Sequence, residues 1–154
     1  MATAFVYWRE RLLLHRHPKL DMWLPCGGHV EPGETPEEAA VREVLEESGV
    51  AVELVGERAL EVAEPLQLLR PRGVQLEHIG PGHEHIDFVY FARPLEPYDG
   101  TLGGTEPGLA WFTRKELDSL PLTEEMQAWT ELALSELHQP RTVRRARALL
   151  PGSA

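Results

Sequence analysis

Three glutamates, Glu43, Glu46 and Glu47, stand at the spacings i, i+3 and i+4. On a helix those positions share a face, so the three carboxylates would stack on adjacent turns. Like charges so placed disfavour a helix by a few tenths of a kcal/mol per pair. The surroundings do little to offset them: from Gly28 to Val50 the chain has seven Glu and one Arg, a net −6 out of −10 for the whole protein. A solvated helix face would account for the glutamates alone, but such faces usually intersperse Lys for i,i+4 pairing. A hard divalent cation above them accounts for the one-sidedness. Mg²⁺ takes oxygen ligands in an octahedron and keeps waters and substrate phosphate oxygens in the remaining positions. An ion held so neutralises a diphosphate, polarises phosphorus for attack and lowers the pKa of a coordinated water.

The elements that must position this cluster are legible around it. Thr35 reads as an N-cap, Pro36 as the first helical residue and Glu38 as the partner in a capping box. The helix should run to about Glu47, with Gly49 at the left-handed stop and Ala40, Val41, Val44 and Leu45 packing inward. Upstream, residues 4–8 and 11–15 read as strands about an Arg9-Glu10 turn, and 22–30 as an extended segment that bends. Downstream, residues 52–57, 66–70, 74–79, 85–92 and 109–112 read as strands, and the Gly-rich stretch 99–108 as a mobile loop. A last helix over 123–138 would bury Met126, Trp129, Leu132, Ala133 and Leu137. That order predicts a mixed sheet between helices, an α/β/α sandwich, in one domain over 1–140. Residues 141–154 are an Arg-rich tail, helical for a turn or frayed.

Gly28, Glu34 and the run Arg42-Glu43-Val44-Leu45-Glu46-Glu47-Ser48-Gly49-Val50 fill every defined position of G-x5-E-x7-R-E-U-x-E-E-x-G-U, where U is a bulky aliphatic residue. The pattern resembles the box of the Nudix (MutT-like) hydrolases. The resemblance is strongest over residues 4–50 and implies a Nudix-type α/β/α sandwich with the box as loop–helix–loop. It implies Glu43, Glu46, Glu47 and the Gly27 carbonyl as ligands of Mg²⁺, with Mn²⁺ as a substitute. Glu34 and Arg42 would brace the loop against the helix, with Gly28 and Gly49 supporting the box turns. The implied reaction is attack of water on phosphorus in a nucleoside diphosphate linked to another group. The base that deprotonates the water varies across the family. Candidates are Glu46, Glu47 and Glu106, the last on a Gly-Gly-Thr-Glu-Pro-Gly loop that resembles the base and second-metal position of several members.

Other residues have chemistry without a motif. His83, His85 and Asp87 would project from one face of a strand, where ordinary surface exposure accounts for them, with substrate contact or a transition-metal site as the other readings. His15, His17 and Lys19 ahead of the box could meet substrate phosphates or form a solvated strand end. Trp23 reads as a core or loop anchor, with stacking on a base as the other option. Cys26 reads as a small filler. Pro65 lies about where some ADP-ribose hydrolases carry a proline, but its neighbours do not support that substrate. The acidic net charge argues against nucleic acid as a partner, and no run of about 18 apolar residues suggests a membrane span. One cysteine and no signal-like N-terminus point to a cytoplasmic chain acting on a small nucleotide. A homodimer is compatible with the family, which commonly pairs through sheet edges or terminal elements. A nucleotide sensor that does not cut would tolerate degenerate box glutamates, and an isomerase on this scaffold would depart from the box; here the box is intact.

Overall fold

The computed structural model describes residues 1–139, so the Arg-rich tail falls outside the described residues. Two strands, β1 (Ala2–Trp8) and β2 (Arg11–His17), form an antiparallel hairpin about the predicted Arg9-Glu10 turn. The short strands β3 (Met22–Leu24) and β4 (Cys26–Gly28) follow, and the bend between them at Pro25 lets β3 pair with β2 while β4 pairs with β1. Helix α1 (Pro36–Ser48) carries the box glutamates. Strands β5 (Val52–Val55), β6 (Gly73–Gly80), β7 (His83–Pro94) and β8 (Leu109–Thr113) and helices α2 (Arg114–Asp118) and α3 (Glu124–Leu137) complete the described chain.

β7 runs parallel to β1, with Ala2 opposite Phe88 and Val6 opposite Ala92, while β8 closes on β2. The alternation of β1 and β7 divides two cores. Ala2, Ala4, Val6, Tyr90 and Ala92 face α1, where they meet Ala39, Ala40 and Val44. Phe5, Tyr7, Val89 and Phe91 face the other way, toward Met126, Ala133, Leu134 and Leu137 of α3. The protein is a mixed α/β fold with its sheet between α1 and α3, as the order of elements predicts. Among the described residues no helix is long and apolar enough to cross a membrane.

Several expectations need correcting. Residues 66–70 form no strand; Leu69 makes a single bridge to Arg58, and the loop carries it past α1, where its N–H donates to Glu37 at 2.9 Å. β5 stops at Val55 because the same edge of β7 is taken further along by β6. Leu45 does not pack inward but is 49% exposed, and Ser48 takes a buried position instead, its hydroxyl donating to the Val44 carbonyl. The stretch 99–108 is tethered at Gly103 to Glu106, as described below. Helix α2 was not anticipated; Thr113 caps it through a 3.3 Å bond from the Glu116 N–H.

Asp87 is 3% exposed on the α3 side of the sheet, where its carboxylate accepts from the Thr3 hydroxyl at 2.9 Å. Burial raises its pKa from 3.8 to about 6. The fold therefore holds a proton that the unfolded chain has released, so this group costs stability as pH rises from about 4 to about 6. Asp87→Asn should stabilise the protein at pH 7.5 by up to ~3 kcal/mol and leave it unchanged near pH 4. Urea denaturation at the two pH values checks this; an equal gain at both would contradict the argument.

Candidate active site

Local sequence builds α1 at both ends. The Thr35 hydroxyl accepts from the Glu38 N–H at 3.3 Å, while the Glu38 carboxylate accepts from the Thr35 N–H at 2.8 Å. Gly49 turns left-handed with φ 75°, and its N–H reaches the Leu45 carbonyl at 2.8 Å. The last carbonyls of a helix lack intrahelical partners, and here the Gly-rich loop supplies them. Gly103 N–H donates to Ser48 at 2.9 Å, Thr105 N–H to Glu46 at 2.9 Å and Glu106 N–H to Glu47 at 3.0 Å. The Thr105 hydroxyl adds a bond to Glu46 at 3.1 Å. The loop that carries Glu106 is thus fastened to the helix that carries the box carboxylates.

Arg42 lies at the centre of the box. Its guanidinium grips Glu34 through two bonds, Nε to Oε1 at 2.7 Å and Nη2 to Oε2 at 3.0 Å. It also donates to the His29 carbonyl at 3.0 Å, to Glu43 at 2.9 Å and to Glu46 at 3.2 Å. Glu34 in turn accepts from the Glu31 N–H at 3.0 Å. Loop and helix are therefore joined by a planar, bidentate ion pair, the geometry for which Arg is suited. Glu34 holds Arg42's pKa above its ordinary value, with Glu43 adding to the effect.

Glu47 points the other way, inward beneath the loop. It lies against the Cys26 thiol and the Gly27 N–H, both of which favour its charged form. Burial, reinforced by Glu43 and Glu106, outweighs them and raises its pKa to about 7. Its Oε2 is buried and has no hydrogen-bond partner among the described residues. Cys26 is fully buried, and burial together with the adjacent Glu47 raises its thiol pKa, so it stays a neutral donor.

A divalent cation fits this donor set. An orphaned carboxylate oxygen whose like-charged neighbours disfavour its ionisation needs a positive partner, and the oxygens on offer are those a hard cation prefers. The side chains are not already arranged around one point: among the described residues no group of three or more His, Cys, Asp or Glu forms a ready cage. Arg42 draws Glu43 and Glu46 toward itself, so both would have to rotate to share an ion with Glu47.

Gly28 leaves room for the Glu43 carboxylate. A Cβ there would lie 2.3 Å from Glu43 Oε1 and 2.4 Å from its Cδ. The far end of a glutamate can move aside, so Gly28→Ala should fold normally while displacing the carboxylate. We expect Mn²⁺ affinity, read by electron paramagnetic resonance titration, to fall roughly 10- to 100-fold with little change in Tm. Unchanged affinity would remove Glu43 from the cluster.

The remaining candidates separate. His15 is buried on the α1 side, its Nδ1 3.6 Å from Glu106 Oε1. His17 is used by its own turn, where Nδ1 accepts from the Lys19 and Leu20 N–H groups at 3.3 and 3.2 Å. Trp23 packs edge-on against Phe112 at 5.2 Å within the α3-side core, and Asp87 is buried on that side too. Trp23 is thus a core anchor, the first of its two readings, and neither side chain faces the box. His85 meets His83, Nε2 to Nε2 at 2.8 Å, and the ring of His29 at 5.1 Å. That meeting with the box loop was not foreseen, because nothing local shows that β4 ends beside the start of β7.

The box geometry and the fold together identify the family, and the model of the NUDIX domain matches residues 2–134. The chain belongs to the Nudix family of hydrolases. A Bacillus subtilis (strain 168) protein named "Putative 8-oxo-dGTP diphosphatase" is 50% identical over 40 residues, 26% of this chain and 27% of that protein. The nucleoside triphosphatase NudI of Enterobacter sp. (strain 638) is 29% identical over 102 residues, 66% of this chain and 69% of that one. Among solved structures, a Nudix-family hydrolase from Clostridium perfringens is similar with a TM-score of 0.76 at 30% identity, covering 88% of this Nudix chain and 95% of that one.

Proposed function

We propose that this Nudix chain is a Mg²⁺-dependent pyrophosphohydrolase that cuts a phosphate–phosphate bond in a nucleoside diphosphate joined to a further group. Nucleoside triphosphates, including oxidised ones, are the first substrate class to test; the names of the two sequence relatives support that choice. The observation that carries the reading is the buried Glu47 Oε2, near Glu43 and Glu106 and without a hydrogen-bond partner among the described residues. Glu43, Glu46, Glu47 and the Gly27 carbonyl would hold the ion, with Mn²⁺ as a substitute. Bound there, it supplies charge neutralisation of the diphosphate and acidification of the attacking water.

The chain's own residues supply the rest. Arg42 and Glu34 fix the box loop against α1, so the carboxylates start close to their working positions. We assign proton removal from the water to Glu106. Glu43, Glu46 and Glu47 would be taken up by the ion, whereas Glu106 stands near Glu47 on the tethered loop, with the His15 ring at 3.6 Å. A carboxylate held by its own backbone to the helix end can accept that proton without the loop moving. Attack then yields a nucleoside monophosphate and the phosphorylated leaving group, which for a triphosphate is pyrophosphate.

Incubation with Mg²⁺ and a panel of nucleoside triphosphates, nucleotide sugars, ADP-ribose and dinucleoside polyphosphates, followed by chromatography, tests this. Cleavage of one class that EDTA abolishes is the expected result. Nucleotide binding without cleavage would overturn it in favour of a sensor, and full activity of Glu106→Gln would return the base to the box.

A further inference from the structure

His15 is the one candidate upstream of the box that ends inside the site, and its surroundings are unusual for a strand histidine. It is 5% exposed, and its Nδ1 is buried with no hydrogen-bond partner among the described residues. An imidazole so buried normally finds a partner for each nitrogen, because an unpaired polar atom costs about 1–3 kcal/mol. The nearest charged atom to Nδ1 is Glu106 Oε1, at 3.6 Å. That is ion-pair range but longer than a hydrogen bond.

The two groups arrive from different directions on rigid supports. β2 pairs through His15 with Leu24 of β3 on one side and with Leu109 of β8 on the other, so the imidazole stands on a doubly bonded central strand. Glu106 comes from the loop tied to the carbonyls of α1. The fold therefore aims the carboxylate of a tethered loop at a fixed ring.

We propose that His15 is a positioning residue for Glu106: its Nδ1 donates to the loop carboxylate and sets where that carboxylate stands relative to the box glutamates. A small rotation of the Glu106 side chain closes the gap from 3.6 Å to hydrogen-bond distance. His15 would act through Glu106, not on water or phosphate itself. The inference rests on the hydrolytic reading and on Glu106 taking part in it.

A double-mutant cycle tests the coupling. Asn presents an amide N–H near the position of Nδ1, while Ala presents nothing. With the Mg²⁺-loaded full chain and the substrate found by the panel, His15→Ala should lower kcat roughly 10- to 100-fold with KM little changed. His15→Asn should restore most of the loss. In the Glu106→Gln background His15→Ala should cost no more than about twofold, because the group it positions is already gone. Mn²⁺ titration by electron paramagnetic resonance gives a readout independent of turnover: the hydrolytic box should bind the ion in both His15 variants. Equal losses for Ala and Asn, or a full His15→Ala loss in the Glu106→Gln background, would overturn the proposal. Full activity of Glu106→Gln alone would instead overturn the assignment of Glu106 as the base.

Discussion

Glu47→Gln is expected to lower kcat about a thousandfold, the scale on which a preorganised electrostatic contact at the reacting phosphate contributes. The same change should raise the Tm of the metal-free protein at pH 8. Glu47 has its pKa raised from 4.5 to about 7, chiefly by burial. A carboxyl raised in this way contributes full stability below about pH 4.5 and loses it as pH climbs through about 7, since above that the folded chain must carry an ionised, poorly solvated group. Glutamine removes the charge and so removes that loss. Addition of Mg²⁺ should reverse the order: the unaltered protein gains Tm through ligand binding, and the variant gains little. Scanning calorimetry with EDTA and with excess Mg²⁺ gives both halves. A variant less stable than the parent in EDTA would mean that Glu47 is a structural hydrogen-bonding residue and not a charge waiting for a cation.

The second large effect is expected from a glycine outside the box. A Cβ at Gly104 would lie 2.2 Å from the carbonyl carbon of Glu47, 2.3 Å from its oxygen and 2.4 Å from the Ser48 nitrogen. All three are backbone atoms of α1, so no side chain can yield. Gly104→Ala must push the loop off the helix end, giving up the bonds from Gly103, Thr105 and Glu106. Overpacking and the lost bonds together should cost about 2–4 kcal/mol. Displacement of Glu106 by an ångström or more should also lower kcat on the order of a hundredfold. Comparison with Gly103→Ala, where a Cβ meets nothing within 4 Å, separates the clash from a general loop effect. Equal behaviour of the two variants would refute the tether.

Legibility in the sequence tracks the range of the interactions. Helix α1 was readable to within a residue because its caps are local: Thr35, Glu38 and Gly49 act on atoms three or four positions away. The Glu34–Arg42 pair was readable because the box spacing carries it, and the structure places the two in bidentate contact. The tether of Gly103–Glu106 was not, since its partners lie more than fifty residues upstream and glycines in a row look the same whether loose or clamped. The place of Asp87 was not legible for a related reason. Alternation says which residues share a face but not which face meets α1, and Asp87 turned to the α3 side. Residues 66–70 had strand-like composition, but β6 claimed the available edge of β7, and tertiary pairing overrode propensity.

Arg42 has a consequence for how quickly the site can respond. It bonds Glu43 and Glu46 simultaneously, and so occupies the place of a counter-ion while the helix, its caps and the Glu34 grip remain complete. An ion bound at the proposed site would have no structure to nucleate; it would take the place of a guanidinium. Side-chain rotation is faster than local unfolding, which takes microseconds to seconds. Loading should therefore keep pace with ion dehydration, and chelation should silence the protein at once while leaving its far-ultraviolet circular dichroism unchanged.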